Sequence, residues 1–386
     1  MSREFTSWAT QNGLKTDSTY ICDDRTSGRC LRASRNIRKG EKLLFCPPRF
    51  IINNQFIIGN TKVGKYVMQY PQELDPMQLM MAFLILEFDK GDESSFKPFI
   101  DSLPKKFSLP VVWNQSLGQL LPTEMNNKYS DFCEYVNACS SKLKRMADEY
   151  NLKISSNDII WAFCCVNTRC FYVAEHMNPL LDCAKIKNNM VLIPYLDMCN
   201  HSPNVATDYD VNVDGCDIFA TSDIEQDSEI FLHYGAHNNY VLLIEYGFVA
   251  SSNPHDCVIF TREDLISALG SFSDKLEPSN EFRKLCGKEL FFVSEGEPSW
   301  TLITMLAALK TNDFDFFLGE YFRGCLEFPR QPNLLRKVCE YKRKQYEKQI
   351  EQLNNLTSES DDDKCHSGIL RSMLDSRIQI LDDLQI

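Results

Sequence analysis

Four short runs of residues combine types that can do chemistry. Asp197-Met198-Cys199-Asn200-His201-Ser202-Pro203 follows the apolar run Val191-Leu192-Ile193. Polar residues packed behind a buried strand make a turn whose backbone groups can face a ligand. Leu232-His233-Tyr234-Gly235 closes a second apolar run, and a strand-end tyrosine followed by glycine can present its hydroxyl to a cleft. Glu245-Tyr246-Gly247-Phe248-Val249 sets two aromatics around a glycine, the makings of a stacking wall. Thr26-Ser27-Gly28-Arg29-Cys30-Leu31 holds a glycine that lets backbone amides come close to a bound carboxylate or phosphate. Taken one at a time, ordinary structure explains them at least as well: a hydrogen-bonded turn, a β-aromatic, a core aromatic pair, a lone turn glycine.

Other chemistries find less support. Cys199, Asn200 and His201 are the residue types of a thiol-protease triad, but neighbours in sequence do not reach triad geometry. His233 and His237 stand four apart, yet Gly235 lies between them and no acidic third ligand is placed. No Cys-x-x-Cys pair and no His-Glu-x-x-His occurs, so no metal is expected.

The elements that must position these residues form a helical middle bracketed by two β-rich segments. Arg29 to Ala33 and Lys42 to Phe45 read as strands joined by the polar turn Asn36 to Glu41. Ile218-Phe219-Ala220 and Ile230-Phe231-Leu232 repeat that shape around Asp223 to Ser228. Between them, Asp75-Pro76 predicts an N-cap with proline in the first helical turn, and Met77, Met80, Met81, Leu84 and Phe88 follow at helical spacing toward a C-cap at Gly91. A second helix is predicted from Ser155 or Ser156 through Ile159 to Val166, apolar around its circumference and therefore buried. Arg169 lies one turn beyond Cys165, and a mostly buried guanidinium needs an anion nearby. From about Pro254 the helical pattern returns. Leu334, Leu335, Val338, Tyr341, Ile350 and Leu353 make an apolar stripe among lysines and arginines, read as a solvated helix in preference to a membrane-surface or calmodulin-type one. Asn354 to Ser367 reads as an exposed acidic linker before a last helix near Ile369 to Leu381.

Composition bounds the rest. At 386 residues and 44% hydrophobic content the chain can bury a sizeable core in two or three domains. Its longest apolar runs, Leu79 to Leu86 and Ile159 to Val166, are far shorter than the roughly 20 residues of a membrane span. Met1-Ser2-Arg3-Glu4 opens no apolar leader, so the sixteen cysteines are expected to be reduced thiols inside a cell. A net charge of −12 is the wrong sign for gripping nucleic acid and agrees with basic proteins as partners.

In chain order the runs are Gly28-Arg29-Cys30-Leu31, a turn ending Gly40-Glu41, Val166-Asn167-Thr168-Arg169-Cys170, Asp197 to Pro203, Tyr234-Gly235 with His237-Asn238, and Tyr246-Gly247-Phe248. This order resembles the SET-domain methyltransferases, in the branch related to the Rubisco large-subunit lysine methyltransferase. The match is strongest from about Asn167 to Phe260. The resemblance implies an α+β fold: a β-rich SET domain over 1–253 with a helical insertion at about 60–185, then a helical C-terminal domain over 254–386 that helps hold a substrate protein. It implies S-adenosyl-L-methionine as cofactor and no metal. Ser27, Gly28 and Arg29 would line its methionine end, Arg169 would hold its carboxylate, and Asp197, Asn200 and His201 would belong to the segment wrapping it, with Asn200 and His201 on adenine. Tyr246 and Phe248 would form an aromatic wall, and Tyr234 would be the catalytic residue at the methyl-transfer point.

The activity implied is protein-lysine N-methylation of a histone or non-histone protein, in cytoplasm or nucleus. An apolar channel disfavours the ammonium form of the lysine and so frees its lone pair. The family also includes a histidine methyltransferase, and a SET-fold binding module without turnover is the reading from another class. The family's usual Gly-x-Gly is here Gly28-Arg29-Cys30. A cysteine at the second position brings a Cβ toward the cofactor and resists positive φ, so reduced affinity is expected, with binding retained.

Overall fold

The computed structural model describes residues 2–24, 28–173, 180–182, 190–212, 214–270, 291–294, 296–308, 319–320, 323, 331–356 and 360–384. They fall into two compact units, Met1–Phe107 with Phe132–Ala236, and Ser108–Asp131 with His237–Ile386.

Short strands alternating buried and exposed residues build the first unit. They are β1 (Thr19–Asp24), β2 (Gly28–Ala33), β3 (Lys42–Cys46), β4 (Ile52–Asn53), β5 (Phe171–Tyr172), β6 (Met190–Leu192), β7 (Asn200–His201), β8 (Thr207–Asn212), β9 (Gly215–Ala220) and β10 (Glu229–Leu232). They pair in three sheets ordered β1-β2-β10-β7, β3-β9-β8 and β4-β6-β5. All pairings are antiparallel except β7 with β10, where Asn200 faces Phe231 and His201 faces Leu232. The two similar polar turns expected from sequence lie against one another. Ile37 bridges Ile224, Gln226 N–H donates to Asn36 Oδ1, and Lys39 N–H donates to Asp223 Oδ1.

Helices of the same unit supply the backing. Asp75 caps Pro76–Asp89 through a reciprocal pair with Gln78, as the Asp-Pro signal predicted. Every residue from Pro76 to Glu87 is buried, so the helix is enclosed on all sides up to its last turn, where Phe88, expected on the apolar stripe, is exposed instead. Lys90 provides the C-cap, one residue before the expected glycine. Ser155 caps Ser156–Arg169, which packs on Pro76–Asp89. Ile159 and Ala162 to Val166 are buried, whereas Ile160 and Trp161 are half-exposed, the Trp161 indole N–H donating to the Pro104 carbonyl.

In the second unit the helices Arg262–Leu269, Trp300–Ala308, Pro332–Asn355 and Asp361–Asp382 accompany a small antiparallel sheet of β11 (Val258–Phe260), β12 (Phe291–Ser294) and β13 (Glu297–Pro298). Pro332–Asn355 packs on both Arg262–Leu269 and Asp361–Asp382. It buries Lys342 between the carboxylates of Glu124 (2.8 Å) and Asp264 (2.7 Å). The acidic stretch read as a linker instead starts a helix at Asp361. Ser360 accepts the Asp363 N–H at 3.0 Å, and three aspartates in the first turn favour the positive end of the helix dipole. Among the described residues no helix is long and apolar enough to cross a membrane.

Candidate functional site

The site of the first unit begins where Ser156–Arg169 ends on Arg169 and where β6 hands over to a reversed turn. Tyr195 makes the reversal with φ 78°, a left-handed conformation that a residue carrying a Cβ adopts only when its surroundings enforce it. The enforcement is visible. Its ring is fully buried against Phe5, and its hydroxyl accepts from Thr16 Oγ1 at 3.2 Å. The turn delivers Asp197 to Arg169, whose Nη1 donates to Asp197 Oδ2 and to the Asp197 carbonyl, both at 2.8 Å. Asp197 is therefore the anion that the buried position of Arg169 demanded. Burial pushes the Asp197 carboxyl up, and the Arg169 guanidinium, with a smaller contribution from Arg29, pulls it back. Arg169 Nε and Asp197 Oδ1 are buried and have no hydrogen-bond partner among the described residues.

The next residues form β7, and its parallel pairing with β10 brings together side chains 33 residues apart. Tyr234 N–H donates to His201 Nδ1 at 3.1 Å, which leaves the proton of a neutral imidazole on Nε2. The Tyr234 hydroxyl donates to the Cys199 carbonyl at 2.6 Å, and its ring lies 5.2 Å from that of His201. Asn200 Nδ2 donates to Glu229 Oε1 at 2.8 Å. A carboxylate only accepts, so Glu229 fixes which end of the Asn200 amide faces it. Cys199 is buried, and burial holds its thiol well up.

Arg29 sits on β2, ion-paired with Asp23 at 3.2 Å and donating to the Ser102 carbonyl at 2.5 Å. Gly28 opens that strand with φ 72°, a conformation that suits glycine. Cys30 lies within β2 opposite Cys22, fully buried and without positive φ, so the backbone strain expected there is not found. Burial pushes its thiol up. Ser27 lies outside the described residues.

Tyr246 and Phe248 belong to the second unit. There Asn239–Val241 leads into a π-helical turn, Leu242–Tyr246, that stops on Gly247 at φ 83°. A Cβ at Gly247 would come within 2.8 Å of the Leu109 nitrogen, so only glycine fits. The rings of Tyr246 and Phe248 are 6.4 Å apart, and Tyr246 lies 6.1 Å from His237.

Sequence reading singled out Asp197, Asn200, His201 and Tyr234 and missed Glu229 and Tyr195. Nothing local marks those two, because the first matters through strand pairing and the second through its backbone. Among the described residues no group of three or more His, Cys, Asp or Glu side chains is disposed to hold a metal ion. What the first unit offers is a buried guanidinium N–H beside an unsatisfied carboxylate oxygen.

The SET domain family model matches residues 28–235, more than half of the chain. The chain belongs to the SET-domain family of methyltransferases. It is similar to human SET domain-containing protein 4, 28% identical over 333 residues covering 82% of this chain and 74% of that protein. The Artemia parthenogenetica protein of the same name is 26% identical, covering 80% and 78%. Actin-histidine N-methyltransferase of Gallus gallus is 28% identical over 66% of this chain and 43% of its own length. Among solved structures, Rubisco LSMT bound to AdoMet superposes with a TM-score of 0.64 at 18% identity, covering 99% of this chain and 93% of that one.

Proposed function

We propose that this chain is an S-adenosyl-L-methionine-dependent protein-lysine N-methyltransferase acting on a histone or non-histone protein in the cytoplasm or nucleus. One observation carries the reading: a single parallel strand pair gathers Asn200, His201 and Tyr234 next to the buried Arg169–Asp197 pair. When bound, the cofactor supplies an electrophilic methyl group.

The chain's own residues do the rest. Arg169, whose side chain is buried but not wholly enclosed, is assigned the cofactor's carboxylate, and Asp197 holds its guanidinium in place from the segment that wraps the cofactor. Gly28 and Arg29, with Ser27 before them, flank that end, and Asn200 and His201 hold the remainder. Tyr234 donates its own proton to Cys199 O, so its oxygen faces an incoming amine as an acceptor and orients the N–H groups. A site poor in water keeps the target amine neutral. The wall assigned to Tyr246 and Phe248 is a separate part of the proposal, tested by replacing each with alanine.

Labelled-methyl transfer from the cofactor to a protein extract, followed by mass mapping of the acceptor, tests the whole. Label on lysine is expected, and it should fall when Tyr234 becomes phenylalanine. Label on histidine would replace the lysine reading with the second one, which the 27–28% identity to actin-histidine N-methyltransferases favours. Cofactor binding without any labelled protein would leave a binding module. Imaging of the tagged chain checks the compartment.

A further inference from the structure

The second unit contains a buried polar hub that the methyl-transfer reading does not use. Asp256 lies at its centre. Its Oδ1 accepts from Arg377 Nη1 at 2.8 Å and from the backbone N–H of Asn239 and Cys257, each at 3.0 Å. Its Oδ2 accepts from Ser376 Oγ at 3.0 Å and Asn239 Nδ2 at 2.8 Å. Asn239 in turn grips Ala250 from both sides, donating from Nδ2 to the Ala250 carbonyl and accepting the Ala250 N–H at Oδ1, both at 3.0 Å. Asn253 Nδ2 adds bonds to Asn239 Oδ1 and to the His237 carbonyl.

The span closed by this lock, 239 to 250, is the one that carries the π-helical turn, the left-handed Gly247, and both Tyr246 and Phe248. A π-turn is an uncommon arrangement, frequent at functional sites. An asparagine that pairs with both polar groups of one distant residue holds them as a bridge of backbone would. Arg377 and Asp256 are 2% and 5% exposed, so each charge depends on the other. Ser376 and Arg377 both come from the helix Asp361–Asp382, more than 100 residues further along the chain.

We propose that Asn239, Asp256 and Arg377 are positioning residues for Tyr246 and Phe248, and that the last helix thereby sets the aromatic face used in methyl transfer. The proposal rests on the role given above to those two aromatics. The test uses the full chain and two readouts, amide hydrogen exchange and methyl-transfer kinetics. In the unaltered protein, amides from 239 to 250 should exchange as slowly as those in the middle of Asp361–Asp382. Exchange as fast as an exposed loop would overturn the lock without any variant being made.

Arg377→Met should speed exchange over 239–250 at least about tenfold while leaving 207–220 unchanged. It should lower kcat/KM about tenfold or more, and Arg377→Lys should recover most of both. Unaltered exchange over 239–250 in a folded Arg377→Met protein would refute the positioning role. If exchange changes as stated but even the unaltered chain transfers no methyl group, the lock stands and the enzymatic reading falls.

Discussion

Tyr234 commits its hydroxyl proton to the Cys199 carbonyl, and this decides what its removal should do. Tyr234→Phe keeps the ring against His201 and loses only the oxygen proposed to orient the acceptor. Loss of one such positioned group should lower kcat by about 100-fold. The broken hydrogen bond should cost only about 1 kcal/mol of stability. A melting curve near that of the unaltered protein with unchanged kcat would show that the hydroxyl has no part in transfer. Glu229 makes a different prediction, because its carboxylate holds the Asn200 amide. Without the carboxylate, the Asn200 amide can present either end. Glu229→Ala should therefore raise the KM for cofactor about tenfold with kcat little changed. A fall in kcat at constant KM would assign Glu229 another role.

Elements whose boundaries are written in neighbouring residues were legible in the sequence. Asp75-Pro76 and Ser155 announced their helices because a cap is a local bond, and the strands around Gly40 and Asp223 to Ser228 alternate visibly. The residue types of the candidate site were legible for the same reason, as compact motifs. Features set by distant partners were not. The left-handed Tyr195 depends on Phe5 and Thr16, the stop at Gly247 on the close approach of Leu109, and the bond of Asn200 to Glu229 on pairing across β10. β11 to β13 are too short to show a period of two. The acidic run misled because charge density suggested a linker, whereas Ser360 followed by Asp361, Asp362 and Asp363 is a helix start. Ser360→Ala should accordingly cost about 1 kcal/mol of stability and lower helicity at the start of Asp361–Asp382. An unchanged denaturation midpoint would mean that the cap contributes nothing there.

At the scale of the whole molecule, much of the cysteine content is held out of water. Burial pushes the thiol of Cys139 up to about 11 and those of Cys164, Cys216 and Cys339 up to about 12. Unfolding returns each to the ordinary value of 9.0, so between about pH 9 and 12 the folded chain holds protons that the unfolded chain has released. The stability these groups confer is complete below pH 9 and is lost as pH rises through that window. Cys164 gives the cleanest test, because burial alone shifts it. Cys164→Ala should lower stability at pH 7 by a constant cavity term. It should also make the fall in unfolding free energy between about pH 9.5 and 11 shallower by about 1.4 kcal/mol per pH unit. Denaturant titrations under reducing conditions at several pH values separate the two effects. Parallel curves for the altered and unaltered proteins would mean that the Cys164 thiol ionises as readily folded as unfolded, and that the helix Ser156–Arg169, which ends on Arg169, admits water along its length.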